Sequence, residues 1–311
     1  MGRIPGGVVD KEAEIAWVES PLQLLGAAEW AAQHGRRVPV AGRLTTQMSE
    51  TADELVARGA QFGEMAPYLG IPWKLLSQHG HWLVGDGFSG QFRLAAAVLR
   101  PHRITFLDDG AHAIPFADSL LGVRPYARPG ITERGLTTRV APLAHETILR
   151  RAHAGRAGFF SAFRFGAERD AALTDHGFTT ERHTFAWTRR TAPAAHELGR
   201  RIVLGSARPV DGRMPLPHFV DWVRAIAVAG PAVYLPHRRE SAEQLDAVAA
   251  IENVRIVHTR VPVELVLAGA DGPLEVFTLP SSTTTTLPLV LAGTGLRMRR
   301  AAAAREIGAT T

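Results

Sequence analysis

The sequence predicts an α/β protein of two doubly wound halves, each a parallel sheet flanked by helices. Three observations lead to this. Short apolar runs alternate with helical patterns from the start of the chain, a second series of the same kind opens near residue 201, and in both series the unusual polar residues sit just after an apolar run. Sheets wound in this way hold their ligands beyond the carboxyl ends of the strands.

In the first series, Ile15–Glu19 (IAWVE) is a short apolar strand. Ser20-Pro21 follows as a cap and first-turn signal for a helix over Leu22–Gln33. Ser49–Arg58 reads as a helix, His81–Val84 as a strand and Phe92–Leu99 as a helix. Ile104–Leu107 (ITFL) is a buried strand running into Asp108-Asp109-Gly110. The stretch Arg134–Ala195 is rich in Arg, Gly and His and weakly periodic, and is expected to form helices and loops on the way to a second domain. The second series has strands at Arg201–Gly205, Ala232–Leu235, Val254–Val257 and Glu275–Leu279, and helices at Phe219–Ala229, Ala242–Ile251, Pro262–Ala268 and Leu287–Ala292. Thr-Ala-Pro-Ala at the start of Thr191–Arg200 marks the boundary, so domains of 1–195 and 196–311 are expected.

A chain of 311 residues that is 46% hydrophobic can bury a core in each half. It has no apolar stretch near the roughly 20 residues of a membrane helix. The opening Met-Gly-Arg-Ile-Pro-Gly-Gly lacks the apolar centre of a signal peptide, so a cytoplasmic protein is expected. With no cysteine, disulfides, thiolate metal sites and cysteine nucleophiles are excluded. The net charge of +5 comes almost wholly from arginine, lysine standing only at positions 11 and 74. These arginines are dispersed and form no long run, which reads as the coding bias of a GC-rich genome, and nucleic-acid binding is not expected.

Four short constellations can carry chemistry. Asp108-Asp109-Gly110 places two carboxylates at a strand end, where alternation sends them in different directions. One can act as a general base on a hydroxyl while the other caps a helix or orients its neighbour; a plain Asp-Gly turn is the alternative. Pro236-His237-Arg238-Arg239-Glu240 follows an apolar strand, and its histidine and arginines suit a phosphate leaving group or else form a basic surface turn. Ser281-Ser282-Thr283 precedes a helix, where small hydroxyl residues hold phosphate oxygens or simply cap. Glu19-Ser20-Pro21-Leu22-Gln23 opens the first helix, with Gln23 either reaching a ligand or solvated.

A rival pattern is Gly85-Asp86-Gly87-Phe88-Ser89-Gly90, which matches G-x-G-x-x-G after a strand and has Asp108 and Asp109 about 20 residues on. It points to an NAD(P)-dependent oxidoreductase, although it does not lie in the first strand–helix unit. A non-catalytic nucleotide-binding protein on the same scaffold is a further alternative. His-Glu-x-x-His, Asp-x-Asp, Walker and Gly-x-Ser-x-Gly patterns are absent, so no metal is expected.

In order and in position, Ser20-Pro21-Leu22-Gln23, Asp108-Asp109-Gly110, His237 within Leu-Pro-His-Arg-Arg-Glu, and Ser281-Ser282 resemble the motifs of the bacterial sialyltransferases of the lipooligosaccharide and polysialic acid types. The resemblance spans the chain as architecture and about a dozen residues as sequence. It implies a GT-B fold with two Rossmann-like domains facing across a cleft. It also implies inverting, metal-independent transfer from a CMP-activated sialic or related nonulosonic acid to a hydroxyl on a glycan or small-molecule acceptor, without a cofactor. Asp108 or Asp109 would then be the base, with Asp108 preferred. His237 would contact the CMP phosphate and assist its departure. Ser281 and Ser282 would hold that phosphate, with Thr283, Gly205, Pro236 and Arg238 beside them in the nucleotide site. Ser20, Gln23 and Gly110 would meet substrate. Arg238 stands where the family has the proline of its His-Pro motif, and the chain is shorter than many relatives.

Overall fold

A computed structural model describes residues 10–133, 135–194 and 198–300. The opening residues read for a signal peptide, and residues 134 and 195–197 of the weakly periodic and boundary stretches, lie outside the described residues. The chain divides into two compact units, Met1–Trp187 and Thr188–Thr311.

The first unit contains strands β1 (Asp10–Val18), β2 (Val38–Arg43), β3 (Phe62–Tyr68), β4 (His79–Val84), β5 (Arg103–Phe106), β6 (Ala157–Ser161) and β7 (Thr179–Arg182). Its helices are α1 (Pro21–His34), α2 (Thr46–Ala57), α3 (Trp73–Leu76), α4 (Gly90–Leu99), α5 (Ala113–Leu120), α6 (Leu136–His153) and α7 (Ala167–Asp175), and α8 (Ala186–Arg190) follows at the division. All the pairings are parallel, in the order β3-β2-β1-β4-β5-β6-β7. The order reverses between β1 and β4. Neighbouring connections there leave in opposite directions and open a crevice beyond the strand ends.

A run of aromatic rings under one face sets the register of the central strands. Trp17 of β1 meets Trp82 of β4 edge-on at 6.1 Å and Phe92 of α4 at 6.3 Å. Phe106 of β5 lies 5.8 Å from Phe92 and 5.5 Å from Phe159 of β6. Every one of these side chains is buried. Slipping a central strand by one residue would turn its ring to the other face.

Two expectations for this unit need correction. The stretch expected as helices and loops carries β6 and β7 and so completes the sheet. Strands β2 and β3 were not anticipated, and their pairing explains why. Pro39 has no N–H to give to a ladder, and the register jumps between Val38 and Val40. Gly63 of β3 packs directly on it, where an added Cβ would sit 3.2 Å from the Pro39 nitrogen.

The second unit has β8 (Arg201–Leu204), α9 (Leu216–Val228), β9 (Ala232–Leu235), α10 (Ala242–Ala249), β10 (Val254–Ile256), α11 (Val263–Leu267), β11 (Glu275–Thr278), α12 (Thr283–Val290) and β12 (Arg297–Arg300). Its parallel sheet runs β10-β9-β8-β11-β12 and reverses between β8 and β11. Tyr234, Phe219, Val223 and Val203 centre its core. The four-threonine run is the first half of α12 rather than the loop before a helix at Leu287. The fold is thus α/β with two parallel, doubly wound sheets. Among the described residues no helix is long and apolar enough to cross a membrane.

Candidate functional site

In the first unit, the two adjacent aspartates diverge. Asp108 turns toward β6 and β7. Its oxygens accept from the Ser161 hydroxyl, from the Ala162 N–H at 2.7 Å and from His183 Nε2 at 2.9 Å. Its side chain is only 2% exposed, and the His183 ring is itself held by stacking on Phe160 at 4.8 Å. With both oxygens occupied and water excluded, Asp108 ties the ends of three strands together.

Asp109 turns the other way, toward the crevice between β1 and β4, and its side chain is 23% exposed. Gln23 Nε2 donates to Asp109 Oδ1 at 2.7 Å, and Arg128 Nη1 lies 3.6 Å from Oδ2. Gln23 is therefore a buried strut rather than a solvated helix residue. Its Oε1 accepts from the N–H groups of Glu19 at 2.7 Å and Ser20 at 3.2 Å, closing the start of α1. Gly110, with φ of +58°, allows the tight turn that carries the chain from Asp109 into a short 3₁₀ turn.

Two further acids, not assigned from the sequence, complete a cluster. Asp86 at the end of β4 ion-pairs with Arg128 and accepts from the Phe88 N–H at 2.9 Å. Glu19 at the end of β1 pairs with Arg43 at 3.1 Å and is hydrogen-bonded by the Ser89 side chain. Burial pushes the Glu19 carboxyl above the usual range, and the nearby Asp86 adds to it. Asp109 rises further, to about 7, chiefly through burial and then through the charge of Asp86. Gln23 and Arg128 hold it down in part. A carboxyl poised near neutrality beside a crevice is equipped to accept a proton.

The loop that presents Arg128 is firmly anchored. The Tyr126 hydroxyl donates to the Gly87 carbonyl at 2.6 Å, and buried Arg93 lies 4.6 Å over the Tyr126 ring. Arg93 also grips Glu133 through two hydrogen bonds, and Glu133 in turn accepts from the Arg128 N–H at 3.2 Å.

The glycine pattern receives a packing explanation. A Cβ on Gly85 would stand 2.2 Å from Gln23 Oε1, and one on Gly87 would stand 2.2 Å from Phe116 Cζ. These glycines let Gln23 and Phe116 approach the backbone, and they follow the fourth strand of the sheet rather than the first.

In the second unit, three neighbouring strand ends carry the remaining residues. After β9, Glu240 folds back so that Oε1 accepts from the His237 N–H at 2.9 Å while Oε2 accepts from the Tyr234 hydroxyl at 2.9 Å. Gly205 after β8 leaves room for this: a Cβ there would meet Glu240 Oε1 at 2.0 Å. Burial lifts the Glu240 carboxyl to about 7 against the pull of those hydrogen bonds. The Arg239 N–H donates to His237 Nδ1 at 3.2 Å, which leaves the ring proton on Nε2. Burial, helped by Arg239 and Arg238, pushes the His237 imidazole down, so it is a neutral donor at neutral pH. Arg239 is engaged by Asp211 through two contacts of 2.8 and 2.9 Å, whereas Arg238 is exposed and Pro236 half-buried.

After β11, Arg208 from the β8 side reaches the Pro280 carbonyl at 3.5 Å, joining the two ends. Ser281 is exposed and its hydroxyl lies 2.7 Å from that of Thr283. Ser282 stands at the N-terminal boundary of α12 with its hydroxyl making no cap hydrogen bond, and Thr286 one turn on donates to the buried Glu264 at 2.6 Å. Ser20, Gln23, Asp109 and Gly110 are thus brought together in the first unit, and Gly205, Pro236, His237, Arg238, Ser281, Ser282 and Thr283 share one sheet edge in the second. Asp108 borders the same small cavity as Asp109, Gly85 and Gly87, but both of its oxygens are committed to Ser161, Ala162 and His183.

No protein-family model matches the chain, and no curated protein matches it. Among solved structures it is similar to Phytolacca americana UGT2 complexed with UDP-2fluoro-glucose and pterostilbene, with 11% identity over 93% of this chain and 86% of that one and a TM-score of 0.47. It is similar also to the spinosyn rhamnosyltransferase SpnG, with 12% identity, coverage of 92% and 79% and a TM-score of 0.38. Acinetobacter baumannii MurG matches with 12% identity, coverage of 93% and 85% and a TM-score of 0.33. These are likenesses of chain path at low identity, and no activity follows from them.

Proposed function

We propose that this chain is a glycosyltransferase that moves a nonulosonic acid such as sialic acid from its CMP-activated form to an acceptor hydroxyl, with inversion and without a metal. The observation that carries this reading is the split of the aspartate pair, in which Asp108 is committed to buried partners while Asp109 stays partly open, with its carboxyl raised to about 7. In this mechanism Asp109 takes the proton of the acceptor hydroxyl. The new C–O bond forms as the bond from the anomeric carbon to the phosphate oxygen breaks, and CMP leaves with that electron pair. General-base help of this kind contributes about 10²- to 10⁴-fold. His237 Nε2–H and the hydroxyls of Ser281 and Ser282 hydrogen-bond the departing phosphate, preorganised donors that can each contribute roughly 3 kcal/mol.

The test is direct. CMP should stabilise the protein in thermal unfolding where UDP, GDP, NAD and NADP do not, by about 2.7 kcal/mol at 100-fold excess over Kd. CMP-sialic acid should be consumed when an acceptor is present. Stabilisation by NAD or NADP alone would restore the oxidoreductase reading, and CMP binding without turnover would leave a nucleotide-binding protein.

Two variants probe the assignments. His237→Ala should weaken CMP roughly 10- to 100-fold, the worth of one hydrogen bond to a charged group, while the Kd of the acceptor stays close to that of the wild type; isothermal titration of each checks this. Arg128→Met removes the cation that holds the Asp109 carboxyl down. A base must be deprotonated to act, so the acidic limb of the pH profile of kcat/KM should move to higher pH, by about one unit or more. An unmoved limb would separate Arg128 from the base.

A further inference from the structure

A groove of about 250 Å³ lies beside the acid cluster, between α1, α2 and the ends of β2 and β3. Its walls are mostly apolar: Leu24 and Val40 are fully buried, Met48 nearly so, and Met65 is half-buried, while the exposed Arg43, Thr45, Ser49 and Asp53 add polar groups to the lining. Leu44, 54% exposed, stands as an apolar lip. Val40 and Gly42 lie two apart on β2 and face the groove together. Gly42 has no side chain to fill it: a Cβ there would make only ordinary contact, 3.5 Å from the Met48 methyl.

The groove is continuous with the proposed chemistry through one residue. Arg43 lines it, and the same guanidinium pairs with Glu19 at 3.1 Å, whose charge acts on Asp109. A saccharide filling it would press most of its hydroxyls on methyl and thioether groups that cannot satisfy them, whereas an amphiphile can keep its hydroxyls at Thr45, Ser49 and Asp53 and lay its apolar part on the rest. A hydrocarbon surface loses nothing, and methionine side chains adapt readily to its shape. A cavity of about 150 Å³ accommodates benzene, so this groove admits an aromatic ring with a substituent or a short alkyl chain.

We infer that the acceptor is amphiphilic, a hydroxyl-bearing molecule whose aryl or short alkyl part lies in the groove of Leu24, Val40, Gly42, Met48 and Met65. The inference rests on the transferase reading for its name of acceptor, and its test does not depend on the donor. Calorimetry without donor would compare 4-nitrophenyl β-galactoside, hexyl β-galactoside and free galactose on the full chain. Both glycosides should bind roughly 10- to 100-fold more tightly than galactose, the effect of burying one apolar group of that size. Gly42→Leu, which fills the groove from the strand, and Met65→Glu, which makes its wall polar, should each remove most of that difference. Equal binding of glycoside and free sugar by the natural chain would overturn the inference, as would glycoside binding undiminished in both variants. Tight glycoside binding without consumption of CMP-sialic acid would instead keep the groove and refute the donor.

Discussion

Asp109→Asn is expected to lower the rate of sugar transfer about 10²- to 10⁴-fold while the Kd of CMP stays within a factor of two or so of the natural protein. The amide keeps the shape of the carboxyl and cannot take up a proton. A second readout accompanies it. In the folded chain this carboxyl titrates near 7 against an ordinary value of 3.8, so the native state holds the proton more tightly than the unfolded chain does. The stability this contributes is complete below the unfolded value and is lost as pH rises through about 7. Glu240, lifted from 4.5 to about 7, acts in the same sense. Melting temperature should therefore fall between about pH 4 and pH 7 and level off above that, and the Asn variant should fall less steeply. Normal transfer by the variant would remove Asp109 from the mechanism.

Asp108→Asn should do the opposite: large in stability, smaller in chemistry. Its three donors, from Ser161, Ala162 and His183, converge on two oxygens in a buried place. An amide offers one oxygen and adds two donors of its own, leaving buried groups unpaired. The loss should be about 3 kcal/mol or more. For a unit of this size that corresponds to a melting temperature lower by roughly 6–12 °C. Assayed well below its melting temperature, the variant should keep far more activity than Asp109→Asn. If Asp108→Asn instead melts like the natural protein and is inactive, the two aspartates have their roles exchanged, and the sequence-based preference for Asp108 as base stands.

How much of this was legible in the sequence depends on where water sits. The second half of β1, with β4 and β5, is buried at the centre of the first sheet and reads as an apolar run, whereas the charged Asp10–Glu14 that opens β1 gives no such signal. β7 is an edge strand whose four residues, Thr-Thr-Glu-Arg, are all exposed, and β12 reads Arg-Met-Arg-Arg, so neither carries an apolar signal. α6 is eighteen residues long but contains Pro142 and an irregular apolar pattern. The candidate site was legible wherever a polar residue directly follows an apolar strand, as with Asp108, Asp109 and His237. Asp86 also follows such a strand, but the glycines around it suggested a different ligand. Arg128 lies in Arg-Pro-Gly, a loop with no local mark of its partner; only the folded chain brings it to Asp86. Which aspartate faces the crevice was likewise undetermined by alternation, because the choice is made by Ser161 and His183, more than fifty residues away.

The reversal of strand order between β1 and β4 gives the acid cluster a late birth. Glu19 arrives at the end of the first strand, but the neighbour that faces it across the crevice comes only after the chain has gone out through β2 and β3 and returned. Asp86, Asp109 and finally Arg128 are then added in turn. A nascent chain that has made only its outward excursion possesses two helices and three strands and, of the site, only Glu19 and Gln23. Reactivity at this site consequently waits for the return strands, since no piece of the first unit that ends before Arg128 holds all four charged groups.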